Sequence, residues 1–197
     1  MTDFLAFLTQ IDIRLFYTFN QLRSPFLDFI MIRASDFGIF SPLIGAFILF
    51  RLYKGGKKER IFWIIGIITI VLSDAICARI LKPLFARPRP YLTLDNIYVY
   101  KGAKWIITNP EIRKHFHMSF SWPSCHATNI WAATIYIWQY RLKYGLIMVP
   151  LAILVSYSRI YLGVHYPFDC LGGLAVGAIV ALIFSHIAKR LYSYLKN

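Results

Sequence analysis

Apolar stretches long enough to cross a bilayer alternate along this chain with short basic connections. A bilayer core of about 30 Å calls for roughly 20 helical residues, fewer where flanking Lys or Arg side chains reach back to the headgroups. Five stretches answer that description: Phe37 to Phe50, closed by Arg51; Ile61 to Leu81, interrupted by Asp74 and Arg79; Ala127 to Tyr140; Gly145 to Gly163, bent at Pro150; and Cys170 to Ala188. Residues 1–36 follow a different pattern. There Phe4, Leu5, Phe7, Leu8, Ile11, Leu15, Phe16 and Phe19 recur at helical spacing with polar residues between them, and Ser24-Pro25 breaks the run. One or two amphipathic helices are expected there, lying on the membrane or forming a sixth span.

Composition agrees. The 197 residues are 58% hydrophobic, 17% aromatic and only 16% charged, which excludes a disordered chain and argues against a water-soluble enzyme. Three cysteines, at 77, 125 and 170, form no spaced cluster, so a disulfide scaffold is not expected, and Cys77 and Cys170 read as small core residues. Charges at Asp3, Asp12, Arg14, Arg23 and Asp28 argue against a cleavable signal peptide. The expected fold is all-α: one integral membrane helical bundle of five or six transmembrane helices with an amphipathic N-terminal region.

The net charge of +13 comes from Lys+Arg 22 against Asp+Glu 9. Because the basic clusters interrupt apolar runs, they point to anionic phospholipid and away from nucleic acid. The short clusters Arg51 to Arg60, Arg141 with Lys143, and Lys189, Arg190 and Lys196 are assigned to the cytoplasm. The division that follows is residues 1–36 as amphipathic helices, 37–81 as spans one and two, and 82–124 as an extracytoplasmic loop. Residues 125–188 then hold spans three to five, and 189–197 a cytoplasmic tail. Aromatics of the long loop (Tyr91, Tyr98, Tyr100, Trp105, Phe116, Phe120, Trp122) are expected to form an interfacial belt.

Crossing parity locates the chemistry. Spans three and four run across and back, so Ser158 to Asp169 return to the membrane face that holds Lys82, Arg89 and His126. Lys82, Arg89 and Arg159 are then three cations with one nearby acid, Asp169, and ionisable groups at membrane depth mark functional sites by default. Such a cluster suits a phosphate, whose oxygens match guanidinium forks. Ser124 is placed to cap the third helix, leaving the amides of Cys125 and His126 as anion donors. His165 and Asp169, four apart around Pro167, can meet at a helix start, where the carboxylate holds one ring nitrogen protonated and the other is free to attack. His126 comes from another helix and can protonate a departing oxygen. Arg87 is read as a headgroup contact, the alternative being a part in catalysis, and Asp74 as an acid that pairs with a buried partner or adjusts a cation of the site from behind. No convincing metal cage is present: His115 and His117 have only Glu111 near them, so neither metal nor other cofactor is expected.

Lys82-x6-Arg89-Pro90, Pro123-Ser124-Cys125-His126 and Ser158-Arg159-x5-His165-x3-Asp169 together resemble the three-part signature of the type-2 phosphatidic acid phosphatase superfamily. The resemblance implies a membrane-embedded helical bundle that hydrolyses lipid phosphates without metal through a phosphohistidine. By that likeness His165 is the nucleophile, Asp169 orients it, and His126 protonates the leaving group and later activates water. Lys82, Arg89, Ser124 and Arg159, with the amide of Cys125, would hold the phosphoryl oxygens. Cys125 departs from the glycine usual there. Undecaprenyl diphosphate, lipid A 1-phosphate, phosphatidylglycerophosphate and phosphatidic acid are the implied substrates. The rival classes are an anion or lipid transporter and a non-catalytic lipid-phosphate-binding protein. The sequence leaves the oligomeric state open.

Overall fold

Small residues at four-residue intervals determine how the helices pack, because in a membrane close backbone approach replaces the hydrophobic drive available in water. The computed structural model of the protein describes residues 2–36, 38 and 41–194. Phe37, the expected start of the first span, and Lys196 of the tail lie outside the described residues.

In chain order the elements are α1 (Thr2–Asn20), α2 (Pro25–Ser35), α3 (Ser41–Lys54) and α4 (Lys57–Ala75), the last continued by a π-helical turn (Ile76–Leu81) into α5 (Lys82–Phe85). There follow α6 (Pro90–Thr93), β1 (Tyr98–Lys101), β2 (Lys104–Ile107) and α7 (Pro110–Lys114), then α8 (Cys125–Tyr140), α9 (Leu142–Tyr161) and α10 (Pro167–Tyr194). Three described stretches are long and apolar enough to cross a membrane: Lys57–Phe85, Leu142–Tyr161 and Pro167–Tyr194. The other two expected spans are shorter helices: α3, with 14 residues, and α8, with 16, reach about 21 and 24 Å at 1.5 Å per residue.

Helix α8 is the hub, packed against α4, α9 and, most extensively, α10. Gly173 and Gly177 make the α8–α10 approach possible. A Cβ on Gly173 would stand 2.7 Å from the Ser124 carbonyl oxygen, and one on Gly177 would stand 2.9 Å from the Ala132 nitrogen. Along α4 and its π turn, Ile65, Thr69, Ser73 and Cys77 form the buried stripe. Val71, Ile80, Ile147, Ile153, Ile179 and Ile183 lie exposed on the outside, as a lipid-facing surface requires.

The N-terminal helices pack into the bundle, α1 against α9 and α10, and α2 against α9. The buried face of α1 presents Asp12, Phe16 and Asn20, one turn apart. Asn20 holds the long loop in place: its Nδ2 donates to the carbonyls of Tyr98 (2.9 Å) and Tyr161 (3.0 Å), and its Oδ1 accepts from the Tyr98 amide (2.9 Å).

Three expectations are corrected here. The fold is not purely helical, since β1 and β2 form an antiparallel hairpin with Tyr100 opposite Trp105. The hairpin lies across the end of α9, where the Tyr100 amide donates to the Leu162 carbonyl at 3.2 Å. Gly163, at φ +75°, makes the turn beside it, where a side chain would collide with the Tyr98 carbonyl. Tyr91 is not part of an interfacial belt but is buried in the core, its ring 4.9 Å from that of Phe116. Cys77 is not a free core thiol: it is disulfide-bonded to Cys125, with the two Cα atoms 5.7 Å apart. The 48 residues separating them carry no local spacing signal; it is the packing of the α4–π segment on α8 that brings them together. Cys170 is buried and free, as expected.

Candidate active site

Each predicted residue is positioned by a helix end or by a tie between distant segments. The π turn inserts one wide turn into the helix just before Lys82, a distortion that recurs at functional sites. Lys82 Nζ then donates to the Phe120 carbonyl (2.7 Å) and the Ser121 carbonyl (3.3 Å). Arg89 Nε donates to the same Phe120 carbonyl at 3.2 Å, and its Nη1 to the Val164 carbonyl at 3.4 Å. Lys82 and Arg89 are thus tied by one acceptor to each other, and Arg89 to the residue preceding His165.

Ser124 caps α8, its hydroxyl accepting from the Ala127 amide at 3.5 Å, and the first intrahelical bond runs from Thr128 N to the Ser124 carbonyl (2.8 Å). Cys125 and His126 therefore occupy the first turn, whose amides lie ahead of that bond. The Ser124 amide donates to the Asp169 carbonyl at 2.9 Å, which joins the α8 and α10 starts. Cys125 turns its sulfur to Cys77, so the disulfide sets where the thiol points while its amide remains part of the α8 end.

From α9, the Arg159 carbonyl accepts from the amides of Val164 (3.1 Å) and His165 (3.2 Å), folding the α9–α10 turn back on itself. The Arg159 side chain, half-buried between these segments, donates from Nη1 to the Ser35 hydroxyl. Helix α10 begins at Pro167, as the sequence predicts for a residue that lacks an amide hydrogen. Asp169 is fully buried and His165 is 2% exposed. Asp169 Oδ2 accepts from the Tyr166 amide at 2.8 Å and stands 3.4 Å from His165 Nδ1. That separation is longer than a formed hydrogen bond.

Burial drives the pKa of His165 well below its ordinary value, and the positive fields of Arg89, Arg159, Lys82 and His126 push it further the same way. His165 is therefore a neutral imidazole at physiological pH, with Nδ1 toward a carboxylate and Nε2 available. The fields that reach His165 come from all three motifs, which the folding brings to one place. Among the described residues no group of three or more His, Cys, Asp or Glu could hold a metal ion.

The sequence profile of the PAP2 superfamily matches residues 62–193. The chain belongs to the PAP2 superfamily. Among its relatives, the lipid A 4'-phosphatase of Bacteroides thetaiotaomicron is 30% identical over 98% of this chain and 84% of its own length. The lipid A 4'-phosphatase of Porphyromonas gingivalis is 29% identical over 98% of this chain and 78% of its own. The fold is that of the transmembrane PAP2-type phosphatidylglycerolphosphate phosphatase from Bacillus subtilis (TM-score 0.62, 20% identity, 93% of this chain and 87% of the other).

Three residues beside this candidate site stand outside those that the motifs assign. Ser35, the last residue of α2, meets Arg159 through its hydroxyl and His126 through its backbone. Asp12 and Arg87 meet beneath Asp169. Arg87 is not a headgroup contact: its Nη1 donates to Asp169 Oδ1 at 2.8 Å and its Nη2 to Asp12 Oδ2 at 2.7 Å. Nothing in the local pattern distinguishes Arg87 from other loop cations, although Asp12 among the apolar positions of α1 was a signal. Asp74 is paired, accepting from Asn129 Nδ2 at 2.8 Å, though it is exposed and its partner only half-buried.

Proposed function

We propose that this protein is a lipid phosphate phosphatase that hydrolyses a phosphomonoester of lipid A through a phosphohistidine. His165 Nε2 attacks phosphorus in line, and the bond to the leaving oxygen breaks as that oxygen takes a proton from His126. A water molecule then gives a proton to His126 and attacks phosphorus, releasing inorganic phosphate and restoring His165. Asp169 holds Nδ1–H and compensates the positive charge that grows on the ring. Lys82, Arg89, Arg159, Ser124 and the Cys125 amide hold the equatorial oxygens, the charge compensation and positioning that phosphoryl transfer demands.

The carrying observation is a buried His165 whose Nδ1 faces Asp169 and which lies in the joint field of Arg89, Arg159, Lys82 and His126. A transporter needs no such pairing of histidine with acid. The lipid A class is supported by two relatives aligned over nearly the whole chain. We assign residues 82–124 and the site to the extracytoplasmic side of the inner membrane, and 189–197 to the cytoplasm. A disulfide at the site supports that side, since such bonds persist in oxidising compartments.

The test is purified protein in detergent with EDTA, offered lipid A bisphosphate, undecaprenyl diphosphate, phosphatidylglycerophosphate and phosphatidic acid, with inorganic phosphate and product mass as readouts. Release from lipid A, abolished in His165→Ala, is the expected result. Binding or transport without release from any of the four would overturn the enzyme assignment; preference for another lipid would overturn the lipid A class alone.

A further inference from the structure

Two buried carboxylates and one arginine lie behind the nucleophile, and the reaction steps above give no role to two of them. Asp12 is 1% exposed and Asp169 fully buried, and Arg87 is forked between them. We propose that Arg87 and Asp12 are positioning residues which, through Asp169, fix the orientation of His165, so that helix α1 is a working part of the site. The inference rests on the phosphohistidine reading and deepens it.

The oxygens are divided between tasks. Asp169 gives Oδ1 to Arg87 and Oδ2 to the Tyr166 amide, with His165 Nδ1 3.4 Å from the same Oδ2. With Oδ1 held by Arg87, the carboxylate cannot rotate without breaking a charge-assisted bond, and Oδ2 stays aimed at the imidazole. Asp12 is divided in the same way. Its Oδ2 takes Arg87 Nη2, while its Oδ1 accepts from the Phe168 amide at 2.8 Å. That amide lies in the first turn of α10, where no carbonyl of the helix can reach it. Asp12 therefore ties both the guanidinium and the backbone between His165 and Asp169.

Arg87 is itself fixed from three sides. Its guanidinium carbon lies 3.9 Å from the centroid of the Tyr166 ring. Its carbonyl accepts from the amide of Ser121 (2.7 Å) and from the Ser121 hydroxyl (3.2 Å). Tyr166 is in turn wedged by Phe16, 5.5 Å between centroids, and Phe16 stands one turn from Asp12 on α1. A lysine offers one ammonium where two acids at different angles need a planar fork, so Arg87→Lys can only partly substitute. The charged groups around the Asp169–His165 pair are Arg87 from the loop, Asp12 from α1, Lys82 and Arg89 from the first motif, Arg159 from α9 and His126 from α8.

The experiment compares wild type, Arg87→Gln, Arg87→Lys, Asp12→Asn and His165→Ala in detergent, with lipid A bisphosphate and dioctanoyl phosphatidic acid as the phosphate-release substrates. Expected are a kcat about 100-fold lower in Arg87→Gln with KM nearly unchanged, the scale of an angstrom-sized misplacement. Arg87→Lys should recover part of that loss. Asp12→Asn should lose about 10-fold.

A 15N-histidine NMR spectrum, with His165 assigned by difference from His165→Ala, reads orientation without turnover. Wild type should show the Nδ1–H tautomer and Arg87→Gln a mixture. Unchanged kcat and tautomer in Arg87→Gln, a raised KM with kcat unchanged, or a lower melting temperature with full activity per folded molecule would each overturn the relay. A wild type that cleaves no lipid would contradict the phosphatase reading instead, while the tautomer comparison still decides the relay.

Discussion

The backbone amide of Ser124 and the backbone carbonyl of Asp169 are joined by a 2.9 Å hydrogen bond. Two helix starts that supply different parts of the site, His126 on α8 and Asp169 on α10, are thereby set against each other by main chain alone. The glycines a turn or two further along α10 keep the two helices in contact beyond that point.

Gly177→Val tests that packing away from the chemistry. A Cβ there already meets the Thr128 carbonyl and the Ala132 nitrogen, both backbone and unable to yield. The variant should lose about 1–3 kcal/mol of stability, the usual cost of overpacking. A melt in detergent followed by tryptophan fluorescence checks it, and an unchanged midpoint would contradict the close approach of α8 and α10.

The Cys77–Cys125 bond closes a loop of 48 residues of sequence separation that includes the long loop and its hairpin. Chain entropy assigns such a cross-link about 4 kcal/mol. Reduction with dithiothreitol should lower the melting midpoint of wild type and leave Cys77→Ser, already lacking the bond, where it was. A midpoint indifferent to reductant in wild type would contradict the pairing.

The convergence of the motifs on His165 was more legible in the sequence than the fold around it. Lys82, Arg89, Ser124, Arg159, His165 and Asp169 follow from motif spacing and crossing parity, since both depend only on residue type and the length of apolar runs. Ser124 as a cap and Pro167 as a helix start were readable from local rules and hold. Contacts set by tertiary packing were not readable. Arg87 differs from Arg89 by two positions, yet it points to Asp12 and Asp169 while Arg89 points to the carbonyls of Phe120 and Val164. The disulfide joins cysteines whose spacing means nothing until α4 lies on α8. The β1–β2 hairpin hid in a loop whose aromatics suggested an interface belt, because Tyr100 opposite Trp105 is a pairing seen only in register.

The pH response follows from the cations around His165. Burial first, and then Arg89, Arg159, Lys82 and His126, hold its pKa down, so the ring is neutral and nucleophilic until the medium is well on the acid side of an ordinary histidine. Arg159→Gln removes one of those fields, which raises the pKa of His165. The acid limb of kcat/KM should therefore move to higher pH, in addition to the overall loss expected from a missing phosphate ligand. A limb that stays put, measured with dioctanoyl phosphatidic acid from pH 4 to 8 (~4 units around an ordinary histidine), would contradict the coupling.

Membrane sidedness can be read with single cysteines. Lys104, exposed on the hairpin, and Lys143, exposed in the first turn of α9, lie on opposite faces in the proposed topology. In spheroplasts a membrane-impermeant maleimide should label Lys104→Cys and not Lys143→Cys until the cells are lysed. The reverse pattern would place the site in the cytoplasm.

The central claim, that His165 carries the phosphoryl group, is met most directly by rapid quench of purified protein with 32P-labelled lipid A phosphate in the presence of EDTA. A label on the protein that survives alkali, is lost in acid, forms faster than steady-state turnover and is absent from His165→Ala is the predicted result. Phosphate release by wild type without any such label, or an undiminished label in His165→Ala, would contradict it.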